Sequence, residues 1–320
     1  MSRFSYFEDG HAVALNLIDL EPETGSHPLT SDDLKGTPAL ITLLLVNNNI
    51  THIHENAFPP TIRKLHVGFN NLTSLNNSLR GLTDLNWLFL NNNRLKSLEG
   101  QLGTLSKLQL LVIEQNQLEA LPSDIQLFSQ LGSLYANNNR ITSLDGLLRG
   151  LTKLQVFNMD FNQITMVRRD EFQNLHNLDS ISLQNNQITS MNSSLSGLTK
   201  LAYLYLSHNQ LTEFLLDDIR GLKRLRTVDL SYNKINKFGT RNEGKVRSRW
   251  YITPGLYFSS LRLPFCSFTV GWTPKIWSIH LTKNRCTKIG HLYLLNYLKI
   301  FRKVGNKIVG QITCRFNRCT

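Results

Sequence analysis

A repeated frame of apolar residues and asparagine constrains this chain more than any other feature of its sequence. The frame is L-x-x-L-x-L-x-x-N-x-L, with other apolar residues accepted at the leucine positions, and it recurs nine times. In its clearest copy, Leu85, Leu88 and Leu90 precede Asn93 and Leu95. The ladder asparagines, one from each copy, are Asn48, Asn70, Asn93, Asn116, Asn139, Asn162, Asn186, Asn209 and Asn233. They lie 22 to 24 residues apart, so the chain is expected to form a solenoid of nine stacked coils.

The L-x-L part of the frame predicts one short strand per coil, because its leucines fall on one face of an extended chain. A return path of about 23 residues is too long for a hairpin, so successive strands should be parallel. Stacking then buries the leucines in one continuous core, which a single coil could not bury alone. The asparagine amide both donates and accepts, so it can satisfy the backbone groups where each strand turns inward.

The return stretches predict the outer side of the solenoid. In the segments 75–82, 144–151 and 191–198, apolar residues are spaced by three or four, which is typical of short helical or 3-10 turns. Strands lie about 4.8 Å apart, and the outer turns need more room, so the array should curve. The predicted fold class is therefore an α/β solenoid with a parallel sheet on its concave face and helical or 3-10 turns on its convex face.

The nine copies resemble the leucine-rich repeat family over about residues 38–238. Their 22–24-residue spacing is similar to that of extracellular and Toll-like members. The resemblance implies a horseshoe-shaped, non-catalytic module that binds a protein through its concave face, in extracellular recognition, adhesion or innate immunity. An intracellular scaffold or regulatory subunit of the same fold, docking an enzyme, is the alternative.

Three segments follow from the repeat and from the distribution of charge. Residues 1–37 are interpreted as an irregular N-terminal flank or cap, residues 38–238 as the solenoid, and residues 239–320 as a basic, Cys-containing tail. From Gly244 onward there are 14 Lys or Arg and no acidic residue, which leaves 21 of the 35 basic residues before it, against all 23 acidic ones. The basic character of the chain thus belongs to the tail alone.

The tail supports several interpretations. It has no periodicity, so we interpret it as poorly structured or non-native, for example as translated non-coding sequence. Two disulfides among its four cysteines, a zinc site and nucleic-acid binding stay open as alternatives. The cysteines and the histidine considered for these sites are Cys266, Cys286, His291, Cys314 and Cys319. We expect no metal.

The side chains between the buried leucines should point out of the concave face. Trp and Tyr are the residues that protein interfaces use most as anchors. The predicted partner-binding residues are Lys64, His66, Trp87, Phe89, Leu110, Val112, Tyr135, Tyr203 and Tyr205. Among them, one exposed apolar patch is expected from three successive coils, formed by Trp87, Phe89, Leu110, Val112 and Tyr135. The alternative is that these aromatic side chains only stack on each other across strands.

Four N-x-S/T sequons mark glycosylation candidates, namely Asn49, Asn71, Asn76 and Asn192. They favour an extracellular protein, either secreted or part of an ectodomain. The alternative is that the sequons occur by chance and that the protein is cytoplasmic. Residues 1–10 contain Glu8 and Asp9 and no apolar run, so no secretory leader is expected there. Glycans at Asn71 or Asn192 would separate the two settings.

Catalysis is not expected, because the chain has no G-x-G-x-x-G, P-loop, H-E-x-x-H or G-x-S-x-G motif. His52 and His54 lack an evident third metal ligand and are assigned to a surface turn. The expected partner is therefore a protein, with no cofactor, no small-molecule substrate and no nucleic acid. No apolar stretch is long enough to predict a transmembrane segment.

Overall fold

The structure is a computed structural model, and it describes residues 5–8, 11–18, 27–219, 221–235 and 237–239. The four cysteines and His291 lie outside the described residues, as does the rest of the tail from residue 240. The alternatives for that segment therefore stay predictions.

The described residues form short strands and 3-10 helices. The strands are β1 (Ser5–Glu8), β2 (His11–Asn16), β3 (His27–Leu29), β4 (Thr42–Leu44), β5 (Ile50–Ile53), β6 (Lys64–His66), β7 (Trp87–Phe89), β8 (Leu110–Val112), β9 (Ser133–Tyr135), β10 (Val156–Asn158), β11 (Ser180–Ser182), β12 (Tyr203–Tyr205), β13 (Glu213–Leu215), β14 (Thr227–Asp229) and β15 (Lys237–Gly239). The 3-10 helices are η1 (Asp32–Leu34), η2 (Ser123–Leu127), η3 (Leu147–Gly150) and η4 (Leu216–Ile219).

Eleven of these strands form one sheet, in the order β1-β2-β4-β6-β7-β8-β9-β10-β11-β12-β14. From β2 to β14 each neighbouring pair is parallel and in register, as Leu88 opposite Leu111 illustrates. The prediction of a parallel-stranded solenoid is confirmed. At the N-terminal end β1 pairs antiparallel with β2, and β2 joins the array with Leu15 opposite Leu43. Strands β3 and β5, and strands β13 and β15, form two separate two-stranded parallel sheets.

The leucine positions of the frame form the core. The central residues of strands β4 to β14 in the main sheet have no exposed surface, and they are Leu43, Leu65, Leu88, Leu111, Leu134, Phe157, Ile181, Leu204 and Val228. Each such side chain contributes roughly 1.5–3 kcal/mol when it leaves water. Phe157 also contacts Phe172 of the outer turn edge to face, with ring centroids 5.9 Å apart. The core therefore runs continuously between the concave strands and the convex turns.

The asparagine ladder is hydrogen-bonded to three stretches of backbone at once. The Nδ2 of Asn116 donates to the carbonyl of Leu90 in the preceding coil at 3.0 Å and to the carbonyls of Ile113 and Glu114 at 3.2 Å. Its Oδ1 accepts from the backbone N–H of Leu95 at 3.0 Å. The same pattern recurs at the other ladder asparagines after the first. Each amide thus joins two neighbouring coils.

A buried carboxyl group on the convex side also joins two coils. Glu171 is 1% exposed, and its Oε1 accepts the backbone N–H of Gly146 at 3.0 Å. Burial raises the pKa of Glu171, while the Gly146 hydrogen bond and the Arg168 charge lower it and the nearby Asp170 and Asp145 raise it further. The folded protein therefore holds the Glu171 proton more tightly than the unfolded chain does.

We expect Glu171→Gln to raise the melting temperature at pH 7.5 by about 2–4 °C, or about 1 kcal/mol for a folded unit of this size. The raised pKa means that ionisation of Glu171 lowers stability as the pH rises through that pKa. Glutamine stays neutral and keeps the acceptor for Gly146, so the difference should vanish near pH 4. Calorimetry at both pH values measures it, with the exposed Glu119→Gln as control. A lower melting temperature at pH 7.5 would mean that the Arg168 interaction outweighs burial.

Candidate functional site on the concave face

Two columns of side chains project from the concave face of the sheet. The first contains Thr42, Lys64, Trp87, Leu110, Ser133, Val156, Ser180, Tyr203 and Thr227. The second contains Leu44, His66, Phe89, Val112, Tyr135, Asn158, Ser182, Tyr205 and Asp229. The parallel register brings each residue beside its counterpart in the next coil, so residues about 23 apart in sequence become neighbours.

Four of the predicted partner-binding residues contact each other on strands β6 and β7. The Nζ of Lys64 lies 4.1 Å from the centre of the Trp87 ring, a cation–π contact. The rings of His66 and Phe89 are stacked, with centroids 4.8 Å apart and planes 10° apart. Trp87 is 38% exposed, so this aromatic group offers one large accessible ring beside a positive charge.

The apolar patch expected next to this group is smaller than predicted. Val112 is only 8% exposed, and Leu110 and Tyr135 are half-buried. Val112 lies in register between Phe89 and Tyr135, and these larger rings cover it from both sides. The expectation that Val112 stands exposed is therefore wrong, and the accessible apolar surface centres on Trp87.

The hydrogen bonds of His66 define its protonation state. The backbone N–H of Gly68 donates to Nδ1 of His66 at 3.1 Å, so the proton of the neutral ring lies on Nε2. Burial lowers the pKa of His66, which keeps the ring neutral at neutral pH. A Cβ on Gly68 would lie 2.7 Å from both His66 Cε1 and Asn91 Oδ1, so any larger residue here would displace the His66 ring or the Asn91 amide. The positive charge of this part of the face is therefore that of Lys64.

Tyr203 and Tyr205 form a second aromatic group on strand β12. Their rings are parallel within 7°, with centroids 6.5 Å apart, and both are half-buried. Tyr205 lies in register with Asp229 of β14. Burial, then the neighbouring Tyr203 and the negative charge of Asp229, raise the pKa of Tyr205. This end of the face therefore combines tyrosine rings with a carboxylate.

A hydrogen-bond network around Asp160 was missed by the sequence reasoning. Its carboxylate accepts the Ser182 hydroxyl at 2.7 and 2.8 Å and the backbone N–H of Gln184 at 2.6 Å. Gln184 in turn accepts the hydroxyl of Ser207 at 2.6 Å. Burial raises the pKa of Asp160, and these hydrogen bonds act in the opposite direction. The signal in the sequence was a polar residue just after the third leucine position in the last seven of the nine copies.

The four glycosylation candidates differ in their surroundings. Asn49, Asn76 and Asn192 are exposed, and Asn71 is half-buried. The Nδ2 of Asn71 donates to Oδ1 of Asn49, and that of Asn192 donates to the Val167 carbonyl at 2.8 Å. Asn49 and Asn76 thus present their side chains to solvent most openly.

The described residues contain no group of three or more His, Cys, Asp or Glu side chains placed to bind a metal. His52 and His54 are exposed, and the His52 ring contacts the hydroxyl of neighbouring Thr51 at 3.1 Å. Among the residues that the structure describes, no helix has the length and apolar character needed to cross a membrane.

Comparisons with known proteins agree with this architecture. A family model described as leucine rich repeat matches residues 38–95, 129–188, 152–211 and 191–235. No curated protein matches the chain significantly.

Solved structures share the fold at low sequence identity. A leucine-rich repeat protein of Leptospira interrogans is 24% identical, with a TM-score of 0.62 over 78% of this chain and 62% of that one. The ectodomain of the Arabidopsis receptor kinase HAESA, solved with an IDA peptide hormone, is 21% identical, with a TM-score of 0.62 over 80% and 44%. TLR13, solved with ssRNA13, is 22% identical, with a TM-score of 0.60 over 76% and 36%. The chain thus spans less than two thirds of the length of each.

Proposed function

Because the chain belongs to the leucine-rich repeat family, we propose that it is a non-catalytic module that binds a protein partner through the concave face of its sheet. The observation that carries this proposal is the Trp87 group. Trp87 keeps 38% of its surface exposed at the centre of a concave sheet, beside the Lys64 ammonium group. Large aromatic rings in such positions dominate the binding energy of protein interfaces.

Two further observations support a polypeptide ligand. The concave face offers a row of half-buried polar and aromatic side chains spaced about 4.8 Å apart, which suits an extended or convex polypeptide surface. One of the similar structures, the HAESA ectodomain, is a receptor solved with a peptide hormone. We expect neither a small-molecule substrate nor nucleic acid as the ligand.

We further propose that the protein acts outside the cell, in recognition, adhesion or innate immunity. The exposure of the sequon residues Asn49, Asn76 and Asn192 supports this setting, because N-linked glycans require accessible asparagines. The similar HAESA structure is the ectodomain of a receptor kinase. An intracellular scaffold that docks an enzyme is the alternative.

Photo-crosslinking tests the concave face directly, even though the partner is unknown. We expect a benzophenone amino acid at position 87 to crosslink a defined protein from native extract, identified by mass spectrometry. The matched control places the same group at Leu127, which is 55% exposed in the 3-10 helix η2. Adducts of equal yield at both positions, or none at position 87, would contradict the proposal.

The captured protein then allows an affinity measurement. Trp87→Ala should weaken its binding about 30-fold, since truncation of an anchoring aromatic residue costs about 2 kcal/mol or more. Leu127→Ala should change it less than twofold. Calorimetry of the free variants serves as a folding control, because a binding loss with an unchanged melting temperature assigns Trp87 to the interface.

A further inference from the structure

The residue just before each ladder asparagine has a left-handed backbone. Its φ lies between +52° and +58° in all nine coils, at Asn47, Phe69, Asn92, Gln115, Asn138, Phe161, Asn185, His208 and Tyr232. This conformation costs roughly 1–2 kcal/mol for most residues, and asparagine tolerates it best after glycine. Asparagine occupies four of the nine positions, whereas aromatic residues occupy four others. The aromatic residues are therefore not there for backbone preference.

Core packing does not account for these four aromatic residues either. Phe69, Phe161 and Tyr232 are 50%, 55% and 60% exposed, and His208 is also exposed. An exposed aromatic ring gains little from burial while its backbone remains unfavourable. Stacking between neighbouring coils and contact with another molecule are the remaining sources of favourable free energy for these positions.

Two of the four meet at the C-terminal end of the solenoid. The rings of His208 and Tyr232 are stacked, with centroids 4.1 Å apart and planes 12° apart. Tyr205 lies on the same coil as His208, and Asp229 lies on the same coil as Tyr232 and in register with Tyr205. We call Tyr205, His208, Asp229 and Tyr232 the edge cluster.

The carboxylate of the edge cluster is held in place. Oδ1 of Asp229 accepts the backbone N–H of Ser231 at 2.9 Å and also the Ser231 hydroxyl. A negative charge thus stands at a fixed position beside the Tyr205 ring.

Charge is also divided along the concave face. The basic Arg63 and Lys64 lie at strand β6, towards the N-terminal end, whereas the acidic Asp160, Asp179 and Asp229 lie at or next to β10, β11 and β14. Arg226, just before β14, is the basic neighbour of this acidic end. A partner surface that matches this pattern carries positive charge where it meets the last coils.

We propose that the edge cluster binds an arginine side chain of the protein partner. The planar guanidinium would stack on the His208–Tyr232 pair and form an ion pair with Asp229, since arginine combines aromatic stacking with carboxylate recognition. This inference rests on the proposed function, because the arginine belongs to a protein ligand. It adds a second contact, on the last two coils, to the Trp87 group on strands β6 and β7.

The test uses the full chain and two fluorescein-labelled octapeptides at low ionic strength. One alternates arginine with serine, and the other replaces each arginine by citrulline, which is planar but uncharged. Fluorescence anisotropy should show saturable binding of the arginine peptide, about tenfold tighter than that of the citrulline peptide. Asp229→Asn and Tyr232→Asn should each weaken arginine-peptide binding about tenfold.

Matched substitutions elsewhere serve as controls. Phe69→Asn makes a similar change at the same position of another coil, and Glu119→Gln removes one negative charge from an exposed convex site. Both should leave arginine-peptide binding within twofold. Asparagine suits the left-handed backbone of positions 69 and 232, so neither Phe69→Asn nor Tyr232→Asn should lower the melting temperature.

Three outcomes would overturn the proposal: no binding of the arginine peptide, equal binding of the citrulline peptide, or equal loss in the controls. Equal binding of the arginine and citrulline peptides would mean that the edge cluster binds uncharged peptide segments. The outcome is separate from the Trp87 experiments. If position 87 crosslinks a protein but the edge cluster does not bind the arginine peptide, the proposed function stands and the arginine site is wrong. If the edge cluster binds the arginine peptide but position 87 crosslinks nothing, the arginine site stands and the proposed role of Trp87 is wrong.

Discussion

Replacement of Asn116 by leucine is expected to lower the free energy of unfolding by about 2–6 kcal/mol. The change leaves the N–H of Leu95 without its acceptor, which costs roughly 1–3 kcal/mol for a buried group. It also removes the amide hydrogen bonds to the carbonyls of Leu90, Ile113 and Glu114. Each of these carbonyls keeps one other donor, so the two amide protons account for roughly 0.5–1.5 kcal/mol each. Urea denaturation followed by far-UV circular dichroism measures the loss, and hydrogen exchange should show the Leu95 amide losing protection.

Asn86→Leu provides the matched control. Asn86 lies just before strand β7, and its Nδ2 donates to the Lys107 carbonyl at 3.3 Å in an exposed position. The same substitution there should change stability by less than about 1 kcal/mol. If Asn116→Leu and Asn86→Leu unfolded at the same urea concentration as the parent, the ladder would not be what holds neighbouring coils together.

The fold could be predicted because its information is local and repeated. Each copy of the frame states which residues face inward, and nine copies fix the register between strands. The leucine positions are accordingly buried, as Leu88 and Leu111 show. The antiparallel start was not predicted, although the sequence contains a signal for it. Asp9-Gly10 lies between β1 and β2, and this dipeptide strongly favours a hairpin turn.

The concave face was harder to predict, because exposure there depends on the size of neighbours in adjacent coils. Alternation places Val112 outward, but Phe89 and Tyr135 on either side cover it. The Asp160 network likewise depends on Ser182, which lies one coil further along. A single coil contains none of this information, which appears only when the columns are read across coils.

The edge cluster shows the same limit in another form. The sequence showed asparagine before the ladder asparagine in several coils, for example at Asn92 and Asn138, and such a position favours a left-handed backbone. What it did not show is that His208 and Tyr232 share this backbone and stack on each other. When the nine residues directly before the ladder asparagines are compared, the aromatic ones depart from the backbone preference of this position.

Glycine in the R-G-L triplets gives the second large expected effect. The triplet occurs at 80–82, 149–151 and 220–222, yet the glycines of the first two copies have different surroundings. A Cβ on Gly150 would lie 2.2 Å from the backbone oxygen of Gln126 in the preceding coil, whereas one on Gly81 would have nothing within 4 Å. The sequence alone treats these positions as equivalent.

We therefore expect Gly150→Ala to lower the free energy of unfolding by about 2–3 kcal/mol, the upper part of the range for overpacking. The carbonyl of Gln126 belongs to the backbone of η2, so it cannot rotate away as a side chain would, and η2 and η3 must separate instead. Gly81→Ala should leave stability unchanged or raise it by roughly 0.4–1 kcal/mol, because alanine restricts the unfolded chain. Urea denaturation of both variants measures the difference. Equal stability would mean that neighbouring convex turns can slide apart freely, and that the coils are held together by the sheet and the asparagine ladder alone.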